Sequence, residues 1–376
     1  MKILVFVSDY PSKHRNNFVF VKQLVDKFAE LGNECYVISP NPILRNRSVE
    51  KAITSTKYKN EGKVLVFREN YLTIPFLKIG SFIPSEWLRM RAINDCIRKL
   101  GVKPDVIYCH FWNQGLIGYE YAKKWGIPLF VASGESEIAG LTDLKKVTPA
   151  FCDYVKGVIC VSTKCKDESI KLGLTKGGKC SVIPNAIDST KFYQLDKQEC
   201  REKLCVPKGA FVVCFVGWFI ERKGPRRVTE AIDKIGDKNI YSFFLGKGPQ
   251  QVNSSHILFS GSVSHDELIY FLNASDIFVL PTLNEGCCNA VIEAMACGLP
   301  IVSSNLPFNW DVLNASNSIM VNPENVDEIS KAIKVLYEDK QLRMKLSEGA
   351  LATAKQLNIK ERALKIIDFM KQKAKI

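Results

Sequence analysis

The densest chemical signal in the chain is the run Asn284-Glu285-Gly286-Cys287-Cys288-Asn289-Ala290-Val291-Ile292-Glu293-Ala294-Met295-Ala296-Cys297-Gly298-Leu299-Pro300. An apolar strand ends just before it at Pro281, Gly286 opens a turn, and the pattern predicts a helix from about Asn289. Gly298 and Pro300 stop that helix. Glu285 then sits at the mouth of a sheet and Glu293 about one turn into the helix. The N–H groups of residues near 287–289 have no partners within the helix. A helix N-terminus behind a glycine turn attracts anions, while carboxylates accept hydrogen bonds from hydroxyls. The pair therefore suits a ligand that bears both hydroxyls and phosphates. Charge placement at helix starts explains many such glutamates, so the surrounding elements must decide.

Those elements alternate. In the N-terminal half, apolar runs at Ile3–Val7, Cys35–Pro40, Val106–His110, Leu129–Ala132, Val158–Val161 and Cys180–Ile183 read as buried strands, with an amphipathic helix over Phe18–Leu31. The pattern restarts after about residue 190 with Phe211–Val216, Tyr241–Leu245, Ile257–Gly261, Ile277–Pro281 and Ile301–Ser303. The strands of this second half stop at Gly, Pro or Ser, as befits the carboxyl end of a parallel strand where a loop passes close to a ligand. Three helical segments, Val326–Tyr337, Gln341–Gln356 and Lys360–Lys375, close the chain. The fold class is α/β, with two doubly wound, Rossmann-like parallel-sheet domains. Residues 1–188 form the first and 189–357 the second, and the helix of about 358–376 is expected to pack back on the first.

Size and composition agree. At 376 residues, with 46% hydrophobic and 24% charged side chains, the chain suits two domains and is neither disordered nor fibrous. No apolar stretch is long enough to span a bilayer, and the first apolar run is too short for a signal-peptide core. The expected setting is cytoplasmic. The thirteen cysteines form neither a disulfide framework nor zinc knuckles and read as reduced thiols. The net charge of +13 favours phosphates, nucleic acid or anionic lipid, or simply makes a solvated basic surface. It is uneven, since residues 251–330 hold no Lys or Arg at all.

The ordered context of the Glu285 block resembles the retaining glycosyltransferases of family 4. The resemblance rests on Asp276–Pro281, Glu285-Gly286, Glu293-Ala294-Met295-Ala296 and Gly298–Val302. It is supported by Ile183–Asp188, Phe215-Val216-Gly217 with Lys223-Gly224, Gly246-Lys247-Gly248-Pro249, and Gly261-Ser262-Val263 with His265. It implies the GT-B architecture, two Rossmann-like domains facing across a cleft with the donor bound by the C-terminal one. Carried over by position, Glu285 contacts the donor sugar hydroxyls and Glu293 the ribose. Lys223 meets the diphosphate, helped by Arg222 and by backbone at Gly217, Gly246, Val263, Gly286, Cys287, Cys288 and Asn289. No Asp-x-Asp occurs, so no metal and no other cofactor is expected, and protein cations must stabilise the leaving group.

Some positions depart from the family pattern. Trp218 stands where an arginine is frequent, and Arg222 is the available substitute. The loop Ser12–Asn17 lacks the usual glycines. Where many members have a histidine after the fourth strand, this chain has Ser133-Gly134-Glu135-Ser136-Glu137. Glu135 reads either as a catalytic carboxylate that orients the acceptor or stabilises charge on the sugar, or, with Glu137, as a cap of the following helix. His110, Ser133 and Gly134 complete this acceptor side. Cys109 should point away from His110. The remaining histidines, His14, His256 and His265, carry no chemistry in this reading.

The expected activity is transfer of a sugar, with retention, from a nucleotide-diphosphate sugar to a glycan or lipid-linked acceptor in cell-surface polysaccharide or glycolipid synthesis. A nucleotide-sugar epimerase or hydrolase on the same fold, and a non-catalytic nucleotide-binding protein, stand as alternatives. No nucleic-acid motif is present. Residues 71–91, an apolar run leading into Trp87, Arg89 and Arg91, read either as core packing or as a peripheral contact on the inner face of a membrane.

Overall fold

A computed structural model describes residues 1–12, 17–43, 52–73 and 83–376. They form two compact units. The first is Met1–Val161 with Cys165–Ile183 and Ala363–Ile376, and the second is Ser162–Lys164 with Pro184–Arg362.

The first unit carries strands β1 (Lys2–Phe6), β2 (Glu34–Ile38), β3 (Asn41–Pro42), β4 (Ile53–Lys57), β5 (Lys63–Phe67), β6 (Asn70–Tyr71), β7 (Val106–His110), β8 (Leu129–Ser133), β9 (Val155–Cys160) and β10 (Cys180–Val182). Eight of them make one sheet in the order β10-β9-β8-β7-β1-β2-β5-β4, while β3 and β6 pair separately. Every pairing in the large sheet is parallel except β4 with β5. The sequence reading has no strand between Pro40 and Val106. Five exposed residues in β4 give no apolar alternation to find, whereas β5 carries the apolar run Val64–Phe67, with Val64, Val66 and Phe67 buried, and the reading passes over it. Helices α1 (Val19–Glu30), α2 (Pro84–Arg98), α3 (Trp112–Trp125), α4 (Ile138–Leu141), α5 (Pro149–Tyr154) and α6 (Thr163–Lys171) connect the strands. The spacing of Val21, Leu24, Val25 and Phe28 puts all four on one face of α1, buried with Ile3, Val5, Cys35 and Val37. Each such side chain contributes roughly 1.5–3 kcal/mol by leaving water.

The second unit repeats the plan with β11 (Phe211–Val216), β12 (Ile240–Leu245), β13 (Ile257–Gly261), β14 (Ile277–Leu280), β15 (Ile301–Ser304) and β16 (Ser318–Val321). Their order is β13-β12-β11-β14-β15-β16, parallel throughout. Around this sheet run α7 (Lys197–Lys203), α8 (Pro225–Ile235), α9 (His265–Ala274), α10 (Asn289–Ala296), α11 (Val326–Glu338) and α12 (Lys340–Gln356). Local signals set their starts. Ser264 and Glu267 form a reciprocal capping box on α9, and Pro225 opens α8 behind Gly224. The last helix, α13 (Ile359–Ala374), places Ala363, Ile366, Ile367 and Met370 in the core of the first unit.

Both sheets have a point where the strand order reverses. In the second unit it lies between β11 and β14, and in the first between β1 and β7. Loops leaving the carboxyl ends of such a strand pair diverge and leave a crevice between them.

Candidate active site

In the second unit the loops after β11 and β14 are tied together by their backbones. The Leu283 N–H donates to the Arg222 carbonyl at 2.8 Å, and Arg227 donates to the Pro281 carbonyl at 3.1 Å while pairing with Glu221. These ties bring three predicted residues to one place. The Arg222 guanidinium donates to the Asn284 carbonyl and, at 2.7 Å, to Glu285 Oε1. The Lys223 ammonium pairs with that same oxygen, and the Thr282 hydroxyl donates to it at 3.0 Å. Lys223 and Glu285 keep only 12% and 13% of their side-chain surface in solvent. Two cations thus share one carboxylate in a nearly enclosed setting, which leaves an excess of positive charge at the switch point. Trp218 is 58% exposed, with the Lys247 ammonium 5.9 Å above its ring.

Helix α10 begins at Asn289 directly behind Gly286, Cys287 and Cys288. The Asn185 side-chain amide holds the turn by donating to the Cys287 carbonyl at 3.1 Å. Glu293 lies in α10, and its Oε1 is 3.4 Å from His265 Nε2. The sequence reading assigns His265 no chemistry, and the structure brings its imidazole beside Glu293. The available signal is its place as first residue of the capped helix α9, which faces the same end of the sheet. Phe192 holds the imidazole edge-on at 5.0 Å.

Gly217 follows β11, and its N–H donates to the Leu245 carbonyl at 2.9 Å. Gly246 follows β12 with φ +153°, and a Cβ there would lie 1.9 Å from the Gly217 carbonyl oxygen. Only a bare backbone permits that approach. Val263 lies between β13 and α9, partly buried against the core.

The residues expected on the acceptor side lie in the first unit. Glu135 is only 3% exposed. Its Oε1 accepts the Trp112 N–H at 2.7 Å, and its Oε2 accepts the Gly134 N–H at 2.9 Å and the Ser133 hydroxyl at 3.2 Å. Glu135 therefore caps α3, the helix before it in the chain. The expectation that Glu135 and Glu137 cap the following helix is not met. Glu137 makes no side-chain cap bond, and the Ile138 N–H at the start of α4 donates instead to Glu168 at 2.7 Å. Burial pushes the Glu135 carboxyl above its usual range, and the N–H groups of Trp112 and Gly134 pull it back. Ser133 and His110 are likewise buried. The imidazole packs among Phe111, Phe20 and Phe18 at 4.3, 5.4 and 6.3 Å. Cys109 is fully buried with its sulfur against Gly118.

Two other expectations meet limits. The loop of residues 12–17 and the segment 71–91 fall partly outside the described residues, at 13–16 and 74–82. Within α2, Trp87 is 52% exposed with Arg91 over its ring. Arg89 is half-buried and donates to Gln114 at 3.3 Å. Among the described residues no His, Cys, Asp or Glu cluster of three has metal-ligating geometry. The thirteen cysteines are free thiols. No helix among the described residues is long and apolar enough to cross a membrane.

Comparison with known proteins gives two family matches. Residues 18–191 match Glycosyltransferase Family 4, and residues 196–353 match Glycosyl transferases group 1. The chain is 25% identical over 366 residues to TuaC of Bacillus subtilis (strain 168), a glycosyltransferase assigned by its name to teichuronic acid biosynthesis, with 91% of this chain and 90% of that one aligned. It is 26% identical over 292 residues to the UDP-Gal:alpha-D-GlcNAc-diphosphoundecaprenol alpha-1,3-galactosyltransferase of Escherichia coli, covering 71% and 75% of the two chains. Among solved structures, Anabaena HepE in complex with UDP and glucose superposes with a TM-score of 0.74 at 16% identity, over 99% of this chain and all of that one, 100%. That likeness bears on the fold.

Proposed function

This chain belongs to glycosyltransferase family 4 and is a nucleotide-sugar-dependent transferase, and from that premise we propose how its residues divide the work. Glu285, pinned by Arg222 and Lys223 beside the N-terminus of α10, is the observation that carries the reading. The two cations take the donor diphosphate, and Glu285, relieved of them, accepts hydrogen bonds from the transferred sugar. The ribose hydroxyls go to Glu293, with His265 fixing the carboxylate. Transfer proceeds with retention and without a bound metal. The departing phosphate receives the acceptor's proton, its charge balanced by Lys223 and Arg222. The acceptor is a glycan or a lipid-linked saccharide of a cell-surface polymer, in keeping with the names of the two relatives above.

A panel of nucleoside diphosphates and their sugars, followed by thermal unfolding, tests the donor assignment. A true donor stabilises the folded state by mass action, by about 2.7 kcal/mol at a hundredfold excess over its Kd, and so raises the midpoint. Glu293→Ala is expected to weaken nucleotide binding by about 1–3 kcal/mol, since buried ribose hydroxyls lose their acceptor. Unchanged affinity by calorimetric titration would remove Glu293 from the site. Donor consumed without acceptor would identify a hydrolase or epimerase.

The enzyme works at the cytoplasmic face of a membrane, contacting it peripherally through the exposed Trp87 and Arg91 of α2. A basic side chain near an anionic surface contributes about 1 kcal/mol. The double substitution Trp87→Ser with Arg91→Ser is therefore expected to reduce pelleting with anionic vesicles and to leave nucleotide binding intact. Equal pelleting of both proteins would return the segment to core packing.

A further inference from the structure

The second unit holds a cavity at the end of its sheet opposite the donor crevice. Asp276 and Pro300 stand just before β14 and β15, and about 500 Å³ opens between the amino ends of those strands and α12. The four residues of β14, about 13 Å of strand, separate it from the loop that carries Glu285. Helix α10 runs from one to the other, with Asn289 at the donor end and Gly298, just past its last turn, lining the cavity. The lining lies wholly within the second unit, every residue of which is described. The size falls within the roughly 300–1,000 Å³ of small-molecule sites.

Its charges do not balance. Asp276 Oδ1 pairs with Lys197 at 2.6 Å, and Oδ2 pairs with Arg201 at 2.6 Å and accepts the Val212 N–H at 2.7 Å. Two cations on one carboxylate leave a positive charge over. Arg343 of α12 adds a second. Its guanidinium lies over the Phe211 ring at 5.3 Å and donates through Nη1 to the Leu336 and Tyr337 carbonyls, which holds the group without cancelling its charge. Lys340, one turn earlier, is exposed, makes no ion pair among the described residues and adds a third. The crowding shows at Lys197, where burial lowers the ammonium below its ordinary range and Arg201 and Arg343 lower it further against the pull of Asp276. One acid, Glu348, lies at the far end of the same face of α12, two turns from Lys340. Between them the Ser347 hydroxyl closes the floor by donating to the Gly298 carbonyl at 2.6 Å, and Leu299, Pro300 and Met344 give an apolar wall. A phosphate monoester, with about two negative charges at neutral pH, suits the basic end. The carboxylate end repels a second phosphate but accepts from hydroxyls, and the wall suits sugar C–H groups.

We propose that this cavity binds a sugar monophosphate, with its phosphate toward Lys197, Lys340 and Arg343 and its hydroxyls toward Glu348. It is a second ligand site of the unit, and it does not depend on how the donor crevice is read.

Calorimetric titration of the full chain tests it, with glucose 6-phosphate and the 1-phosphates of glucose, galactose, mannose and N-acetylglucosamine. Methyl glucoside and inorganic phosphate serve as the two halves of the ligand. At least one sugar phosphate is expected to bind about tenfold or more tightly than either half. Lys340→Glu is expected to weaken that binding by about tenfold or more. An acid in the first turn suits a helix start, so α12 should keep its stability, and the unfolding midpoint of the unliganded variant checks this. If the midpoint falls, Lys340→Ala takes its place. Glu348→Ala should weaken the sugar phosphate by about fivefold and leave inorganic phosphate no weaker. Lys223→Ala, which removes a cation from the donor crevice, should bind the sugar phosphate as the wild type does. No sugar phosphate bound, either half bound as tightly as the whole, or binding that survives loss of the Lys340 charge would each overturn the proposal. So would binding lost in Lys223→Ala, which would put the ligand in the donor crevice. Failure of the donor reading shows separately, as a wild-type protein that no nucleotide stabilises.

Discussion

Lys223→Ala is expected to lower kcat by about 10²–10³-fold, or roughly 3–4 kcal/mol, the cost of removing one preorganised charge partner from a developing anion. Folding should hardly change. Glu285 keeps Arg222 and the Thr282 hydroxyl as partners, so no carboxylate is stranded. Arg222→Ala is the informative control. Its side chain is 36% exposed against 12% for Lys223, so solvent already screens part of its charge and the loss should be smaller. The same pair of variants bears on metal dependence. With protein cations stabilising the leaving group, EDTA should leave wild-type turnover unchanged. Abolition by EDTA with recovery on adding a divalent ion would defeat the assignment of that role to Lys223.

Glu285→Gln should move two parameters in opposite directions. The amide retains an oxygen to accept from the sugar but carries no charge, so turnover should fall by about a hundredfold, an interaction made chiefly in the transition state being lost. Binding of the nucleoside diphosphate product should tighten, because Arg222 and Lys223 no longer have to leave a carboxylate to meet phosphate. Steady-state kinetics and product titration read the two effects independently. A variant with normal kcat, or with weakened product binding, would show that Glu285 is not the group exchanged between cations and sugar.

The turn-and-helix setting of Glu285 and Glu293 was legible because it is written locally. One turn and one helix carry Glu285 through Glu293, and strands that stop at glycine mark where Gly217 and Gly246 bring backbones together. His265 was harder, since its nearness to Glu293 depends on how α9 and α10 pack and no spacing encodes it. On the acceptor side the obstacle was direction. Capping signatures are read forward, from a polar residue to the helix it begins, whereas Glu135 reaches back across a whole helix and strand to the start of α3. Arg89 and Gln114 belong to different helices and meet only through tertiary packing. In the fold, parallel strands buried on both faces announce themselves as apolar runs. The edge strand β4 does not, because all five of its residues are exposed and no buried face imposes a pattern.

The reach of Glu135 also bears on how the first unit assembles. The Trp112 N–H at the start of α3 has its carboxylate partner only when β8 has paired beside β7 and delivered Glu135 to it. Before that, the helix start lacks its cap and Phe111 has little to hold it at φ +77°, a conformation that costs a side-chain-bearing residue of order 1–3 kcal/mol. Strand β7, helix α3 and strand β8 are thus bound to form, and to open, as one cooperative block. In folding terms Glu135 is the latch that keeps this block from fraying where α3 begins.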